Sequence, residues 1–291
     1  MKLKEILDKT TAFFKEKKFE TPRLDAELLL AHGLKLERIQ LYLRFDQPMK
    51  EDELAVLREL VRRRAQGEPV AYILGYRDFY KSRFEVNSST LIPRPETEHL
   101  VEEVIEWGNG KKSDLGIIDL GCGSGCIGLS LLKEFPEAKL IAVDLSEKAL
   151  EVAQRNAQSL EVSDRVRFIH ADATNADVVL SAYKDFVGSN KVDVLVSNPP
   201  YIAHDDPQVE ANVKKFEPAS ALYADDNGLA LIKNWSKQYA PSLNHPGIML
   251  MEMGMSQGSA AKEHFESLRT FNEISVTKDL SGHDRVIRGE T

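Results

Sequence analysis

The sequence predicts an α/β protein, a parallel sheet with helices on both faces, preceded by a small helical bundle. Three observations carry this. Short apolar runs of β-type residues alternate with amphipathic helical stretches from about residue 115 onward, a glycine-rich turn follows the first of those runs, and the first 75 residues show helical periodicity alone. Short apolar strands spaced by helices are the pattern of a parallel sheet buried on both faces. At 291 residues the chain is long for one domain and comfortable for two. We expect helices over 1–75, a hairpin linker over 76–90 and the α/β domain over 91–291.

In the opening segment Leu3, Ile6, Leu7, Phe13 and Phe14 recur at helical spacing and define one apolar face. "TPRLDAELLLAHGL" carries a helix start, with Thr21 as N-cap and Pro22 at the first helical position, and Gly33 near its end. "MKEDELAVLRELVRRRAQG" repeats the amphipathic pattern and stops at Gly67. A helical module of this kind is either a stabilising lid or a substrate-docking surface. "GYRDFYKSRFEV", Gly75 to Val86, reads as a hairpin. Strands follow at "LGIIDL", "KLIAVDL", "RVRFIH", "VDVLVS" and "GIMLMEM".

Charge and cysteine usage exclude several classes. Lys and Arg number 38 against 46 Asp and Glu, a net charge of −8, which argues against a protein that coats nucleic acid. Cys122 and Cys126 are too few for a disulfide framework and fit a reduced, cytoplasmic protein. Their spacing could suit a metal pair, but no further ligand stands nearby, so small packing residues are favoured and no metal is expected. The N-terminus has no signal- or transit-peptide character, and no run of apolar residues is long enough to span a membrane.

"IIDLGCGSGCIGLSLL" places Gly121, Gly123 and Gly125 between the first strand and a helix, where the backbone must turn sharply and approach a ligand closely. About 20 residues on, Asp144 ends the second strand, where a carboxylate can accept both ribose hydroxyls of a nucleoside. The competing assignment for Asp144 is a helix N-cap beside Ser146. Gly123, Gly125 and Gly128 also satisfy the dinucleotide pattern G-x-G-x-x-G, but that match starts three residues past Leu120. The set Asp119, Gly121, Gly123 and Gly125 sits flush with the strand end, the form used for S-adenosyl-L-methionine. Asp172 follows the third strand, either to meet the adenine amino group or as a plain loop aspartate.

"VDVLVSNPPY" ends the fourth strand in Asn198, Pro199, Pro200 and Tyr201. Two prolines terminate a strand, and a strand terminator is the simplest reading. With the usual order 3-2-1-4-5, however, this loop shares a crevice with the glycine turn. The Asn198 side-chain oxygen and the Pro199 carbonyl can then accept the two N–H bonds of a planar amide or amino group, and Tyr201 can stack on it. That orients a poor nitrogen nucleophile toward an electrophilic methyl group.

"DLGCGSG" with "NPPY" resembles the class I methyltransferases that act on amide or exocyclic nitrogen. "GEPVAYILGYRDFY" (67–80), "LIPRPETE" (91–98), "FEPASAL" (216–222), "MEMGMSQG" (251–258) and "DLSGHDR" (279–285) further resemble the release-factor glutamine methyltransferases, the HemK or PrmC family. The resemblance implies a Rossmann-like domain of seven strands and methyl transfer from S-adenosyl-L-methionine to the glutamine amide of the Gly-Gly-Gln loop of class 1 peptide chain release factors. It assigns Asp119, Gly121, Cys122, Gly123, Ser124, Gly125, Asp144, Asp172, Ala173 and Asn198 to the cofactor, and Asn198, Pro199, Pro200 and Tyr201 to the glutamine. A monomer is expected, and the acidic charge argues against a stable nucleic acid partner. In "PRPETE" we expect an internal Arg94–Glu96 ion pair and Thr97 capping the next helix. An adenine-N6 methyltransferase of nucleic acid and a nicotinamide oxidoreductase built on Gly123–Gly128 are the alternatives.

Overall fold

Apolar spacing in the first 75 residues produces five helices, α1 (Leu3–Glu16), α2 (Pro22–Gly33), α3 (Arg38–Leu43), α4 (Glu51–Ala65) and α5 (Val70–Leu74). The computed structural model describes residues 1–111, 113–204, 206, 207 and 210–291. Leu3, Leu7 and Phe14 of α1 meet Leu29 and Leu30 of α2, Leu41 of α3 and Leu57 of α4 in one buried cluster. Phe13, expected on the same face, is 37% exposed. At about 100° per residue it falls to the margin of the face that Leu3, Leu7 and Phe14 define. Thr21 stands at the N-cap position but does not cap the backbone: its hydroxyl donates to Asp25 Oδ1 at 2.8 Å. Gly67, just past α4, takes the left-handed φ of +93° that favours glycine.

Met1–Tyr76 and Ala211–Phe216 form one unit, and Arg77–Glu210 with Glu217–Thr291 form the other. The second holds the hairpin β1 (Tyr76–Phe79) and β2 (Ser82–Glu85) apart from Tyr76, then α6 (Glu98–Gly108), β3 (Gly116–Leu120), α7 (Cys126–Glu134), β4 (Lys139–Asp144), α8 (Glu147–Ser159) and β5 (Val166–His170). It continues through α9 (Ala176–Val187) and β6 (Val192–Ser197). α10 (Ala211–Phe216) belongs to the first unit, after which come α11 (Ala230–Tyr239), β7 (Leu243–Glu252), α12 (Gly258–Leu268), β8 (Glu273–Lys278) and β9 (Asp284–Glu290).

The large sheet has seven strands in the order β5-β4-β3-β6-β7-β9-β8. β3 pairs in parallel with β4 and β6, and β9 runs antiparallel to β7 and β8. Successive residues of each central strand supply opposite faces, as the period of two requires. Ile117, Val194, Val196, Ile248 and Leu250 pack on one side with Leu100, Val104 and Leu131; Ile118, Leu195, Met249 and Met251 pack on the other with Val179, Ile232 and Phe265. The strand positions expected from the five apolar runs and the order 3-2-1-4-5 are those observed. β8 and β9 escape the apolar-run criterion because β8 is only half-buried and β9 carries Asp284, Arg285, Arg288 and Glu290. Among the described residues no helix is long and apolar enough to cross a membrane.

The ends of β3 and β6 are joined by more than the ladder. Ser197 Oγ, fully buried, donates to the Leu120 carbonyl at 2.7 Å. Ser197→Ala is expected to lower the unfolding free energy by about 1–3 kcal/mol, the cost of a buried acceptor left unpaired. Denaturant titration of the two proteins measures it, an unchanged midpoint contradicting this account.

Candidate active site

The glycine turn opens where β3 ends. Gly121, Gly123 and Gly125 have φ of +69°, +54° and +79°, a region that side chains with a Cβ rarely adopt. A Cβ at Gly123 would meet no protein atom within 4 Å, so its absence leaves open space rather than relieving a clash. Gly128 does different work. A Cβ there would approach Leu140 to 2.6 Å, and its N–H donates to Asp119 Oδ2 at 3.0 Å. This glycine lets α7 lie close on the sheet, with Asp119 buried beneath the turn and its Oδ1 left without a partner. Burial pushes the Asp119 carboxyl up to about 7, against the Gly128 N–H, with the charge of Asp144 adding to the rise.

Asp144, at the end of β4, braces the turn. Its Oδ2 accepts from Gly123 N and its Oδ1 from Ser146 N, both at 2.8 Å. Burial raises its carboxyl, and these backbone N–H groups hold it back. The α8 cap is Ser146 itself, whose Oγ accepts from Ala149 N at 3.2 Å, so Asp144 is not the cap. Asn156, on α8 and 2% exposed, was not legible in the sequence. Its Nδ2 donates to the Ser124 carbonyl at 2.9 Å and the Glu85 carbonyl at 3.0 Å, and its Oδ1 accepts from Glu85 N at 2.7 Å. One amide thus ties the glycine turn to the end of β2. Asp172, exposed, accepts from Thr174 N at 2.8 Å through Oδ1. Ala173 is buried, and its carbonyl accepts from Tyr239 Oη at 2.8 Å.

After β6, Asn198 Nδ2 donates to Thr97 Oγ1 at 3.1 Å while the buried Oδ1 has no partner. Pro199 is buried and Pro200 half-buried. Tyr201 Oη donates to Glu252 Oε1 at 3.0 Å. The negative charge of Glu252, then burial, pushes the Tyr201 phenol far above its ordinary range. Burial in turn raises the 1% exposed Glu252 carboxyl, opposed by the nearby Thr97 and Tyr201 hydroxyls and by the charge of Arg285. Downstream, Gln257 Nε2 donates to the carbonyls of Tyr201 at 2.9 Å and Asn227 at 2.8 Å. Gly228 has to be glycine: its φ is +84°, and a Cβ would stand 1.9 Å from the Tyr201 carbonyl oxygen.

Two expectations for "PRPETE" are corrected. Arg94 pairs with Glu217 at 2.5 Å rather than with Glu96, and Glu217 Oε2 also accepts from Ile92 N at 3.2 Å. Thr97 offers no cap to α6, because its hydroxyl is engaged by Asn198.

These elements enclose a cavity of about 500 Å³ within the larger unit, a size suited to a nucleoside-containing ligand. Gly121, Cys122, Gly123, Ser124, Asp144, Asp172, Ala173, Asn198 and Pro200 lie on its wall. Asp119, Gly125, Pro199 and Tyr201 are not on the wall itself, although Gly125 and Pro199 each stand between two wall residues in the chain. The opposite wall includes Ser89, Leu91, Pro93 and Thr97, with Pro218 and Ser220 from the segment that Arg94 clamps. Trp235, also on the wall, lies against Gly121. Open space at Gly123 and an unpartnered acceptor on Asn198 fit a ligand lying along the turn toward the proline loop.

A seven-stranded sheet with β9 inserted antiparallel between β7 and β8, and the glycine turn and the proline loop on one cavity, defines a class I S-adenosylmethionine-dependent methyltransferase. The models of the PrmC N-terminal domain and the methyltransferase small domain match residues 5–75 and 97–253. A release factor glutamine methyltransferase of Rhodopirellula baltica is 38% identical over 97% of this chain and 94% of its own. One of Chlorobaculum tepidum is 39% identical over the same shares, 97% and 94%. The chain belongs to the release factor glutamine methyltransferase family. In fold it is also similar to the hMettl16 catalytic domain solved with a MAT2A 3′UTR hairpin, with TM-score 0.56, 15% identity, and 79% of this chain and 80% of that one covered.

The Asp119 shift makes stability depend on pH with a definite sign. Between the ordinary value near 3.8 and about 7, the folded protein keeps a proton that the unfolded chain has released, so stability falls as pH rises through that window. Asp119→Asn lacks this titration. Its unfolding free energy relative to the parent is expected to gain on the order of 4 kcal/mol between pH 4 and pH 7. Urea titrations of both proteins at the two pH values measure the difference, and parallel pH profiles would contradict it.

Proposed function

We propose that the chain transfers a methyl group from S-adenosyl-L-methionine to the side-chain amide nitrogen, N5, of the glutamine in the Gly-Gly-Gln motif of class 1 peptide chain release factors. The observation that carries this reading is the Asn198 amide on the wall shared with the glycine turn, its Nδ2 engaged and its Oδ1 unpaired. An acceptor with spare capacity is what a primary amide needs opposite its N–H.

The cofactor supplies an electrophilic methyl on a sulfonium. Gly121, Cys122, Gly123, Ser124 and Gly125 hold it along the turn, with Asp144, Asp172 and Ala173 on its nucleoside side and Asp119 fixing the turn from beneath. The substrate nitrogen is a poor nucleophile because its lone pair is delocalised into the carbonyl. Asn198 Oδ1 and the Pro199 carbonyl accept its two N–H bonds, which fixes the direction of the lone pair and stabilises positive charge as it develops. Pro200 bounds the substrate, and Tyr201 keeps the loop at a fixed depth through Glu252. No base is needed before transfer, since the nitrogen can release its proton afterwards.

The helical region, 1–75, serves in this reading as the docking surface for the release factor, because a glutamine in a short loop offers too few contacts for selective binding. We read the enzyme as a cytoplasmic monomer without stable nucleic acid or membrane contacts, in keeping with its net charge of −8.

Asn198→Ala is expected to slow methyl transfer by about 10² or more, the scale for loss of one preorganised polar partner of a transition state. Calorimetry should find cofactor affinity little changed, and near-normal turnover would remove the mechanism. An intact release factor should be methylated far more efficiently than a short Gly-Gly-Gln peptide, each gaining one methyl on the glutamine side chain. Mass spectrometry locates the methyl; transfer to adenine of DNA or RNA, with none to release factor, would reassign the activity.

A further inference from the structure

Two stretches of chain bound the cofactor cavity from opposite walls, and their separation governs how closely a ligand is held. One is the glycine turn, with Gly121, Gly123 and Ser124 on the wall; the other is the segment Ser89–Leu91. Neither lies in a helix or a strand, so the sheet ladder does not itself fix the gap between them. A side chain outside the wall reaches toward both.

We infer that Asn156 is a positioning residue for the cofactor, holding the glycine turn and the segment that leads to Ser89 at the separation the ligand requires. The inference rests on the reading that the cofactor lies along the glycine turn. Asn156 Nδ2 donates to the Ser124 carbonyl at 2.9 Å and to the Glu85 carbonyl at 3.0 Å, while Oδ1 accepts from Glu85 N at 2.7 Å. Two carbonyls demand N–H groups and one N–H demands an oxygen, so a single orientation of the amide satisfies all three. At the turn, Ser124 is buried, and a Cβ on the neighbouring Gly125 would stand 3.4 Å from Ala153, a residue of the same helix as Asn156. On the other side the chain passes from Glu85 through the buried Val86 into a tight turn. There the Asn87 carbonyl accepts from Thr90 N at 3.0 Å, and Asn87 Oδ1 accepts from Ser89 N at 2.9 Å. That turn delivers Ser89–Leu91 to the wall. Arg155, the preceding residue, also joins α8 to Glu85, through an exposed ion pair to the carboxylate at 2.8 Å. This pair links the helix to β2 and leaves the glycine turn out.

Calorimetry with S-adenosylmethionine separates this positioning role from a general contribution to stability. Asn156→Asp keeps the acceptor for Glu85 N but sets an oxygen against both carbonyls, and Asn156→Leu keeps similar bulk and removes all three bonds. Both are expected to raise the cofactor Kd about tenfold or more, the scale of one buried hydrogen bond. At saturating cofactor kcat should stay within about threefold of the parent, since the proline loop is untouched. Arg155→Ala should leave the Kd within about twofold. Parental affinity in the Asn156 variants overturns the inference, and so does an Arg155→Ala loss as large as theirs, which would mean loosening of α8 against β2 in general. The unmodified chain gives a reading that does not depend on any variant folding. A ligand that holds the turn must, by reciprocity, hold what the turn is bonded to, so saturating cofactor should slow hydrogen exchange at the Glu85 amide about tenfold or more. Unchanged exchange there overturns the inference as well. Gly123→Asn tests the reading beneath it, because asparagine tolerates positive φ and its side chain would enter the open space at that position. If Gly123→Asn binds the cofactor as tightly as the parent, the placement along the turn fails; if it loses binding while the Asn156 variants keep theirs, only the role of Asn156 is wrong.

Discussion

The site depends on β3 and β6 ending side by side at the same level. Their register pairs Leu120 with Ser197, the last residue of each strand, and the Ser197 hydroxyl bonds the Leu120 carbonyl at that point. Gly121 and Asn198 then leave adjacent strand ends into one crevice. Had the strands been offset by one residue, every side chain of β6 would have changed face, and Asn198 would point away from the turn. The parallel ladder thus performs two tasks, burying Val194, Leu195 and Val196 in alternation and bringing two loops more than seventy residues apart into the same cavity.

A loop of two prolines cannot hold itself in place. Neither proline has an N–H to donate, so the segment after β6 is held by side chains from elsewhere. Gln257 grips the Tyr201 carbonyl, Glu252 receives its hydroxyl, and Thr97 engages Asn198. Each of these bonds is local in space and costly to lose, because the groups are shielded from water. The glycine turn shows the complementary strategy, with backbone N–H groups available and carboxylates at Asp119 and Asp144 brought to meet them. One wall of the cavity is fixed by acceptors reaching for backbone donors, the other by side chains replacing donors the backbone lacks.

What could be read from the sequence follows the same division. "LGIIDL", "KLIAVDL" and "VDVLVS" announce themselves because strands buried on both faces must be apolar throughout. The glycines after Leu120 and the prolines after Asn198 are visible because they break a local pattern. Thr97, Asn156, Gln257 and Glu252 break none. Thr97 lies 101 residues from Asn198, and Gln257 lies 56 from Tyr201, so their partners are set by topology rather than by spacing. Short-range rules consequently suggested the wrong neighbours in "PRPETE", an ion pair two residues away and a helix cap, where Arg94 reaches Glu217 and Thr97 reaches Asn198. Gly228 carries no local signal either, since its requirement comes from a carbonyl 27 positions earlier in the chain.

The two thiols of the glycine turn have a practical bearing. Cys122 and Cys126 are the chain's only cysteines. Both are buried and free, and burial drives the Cys126 thiol up to about 12 and that of Cys122 well above its ordinary value. Thiolate is the form that attacks maleimides and methanethiosulfonates, so the native folded chain is expected to react only slowly with such reagents at neutral pH. A single cysteine placed on an exposed helix can therefore carry a fluorophore or spin label in the otherwise unaltered protein. Distances across the molecule can then be followed in solution without first replacing residues that line the cofactor cavity.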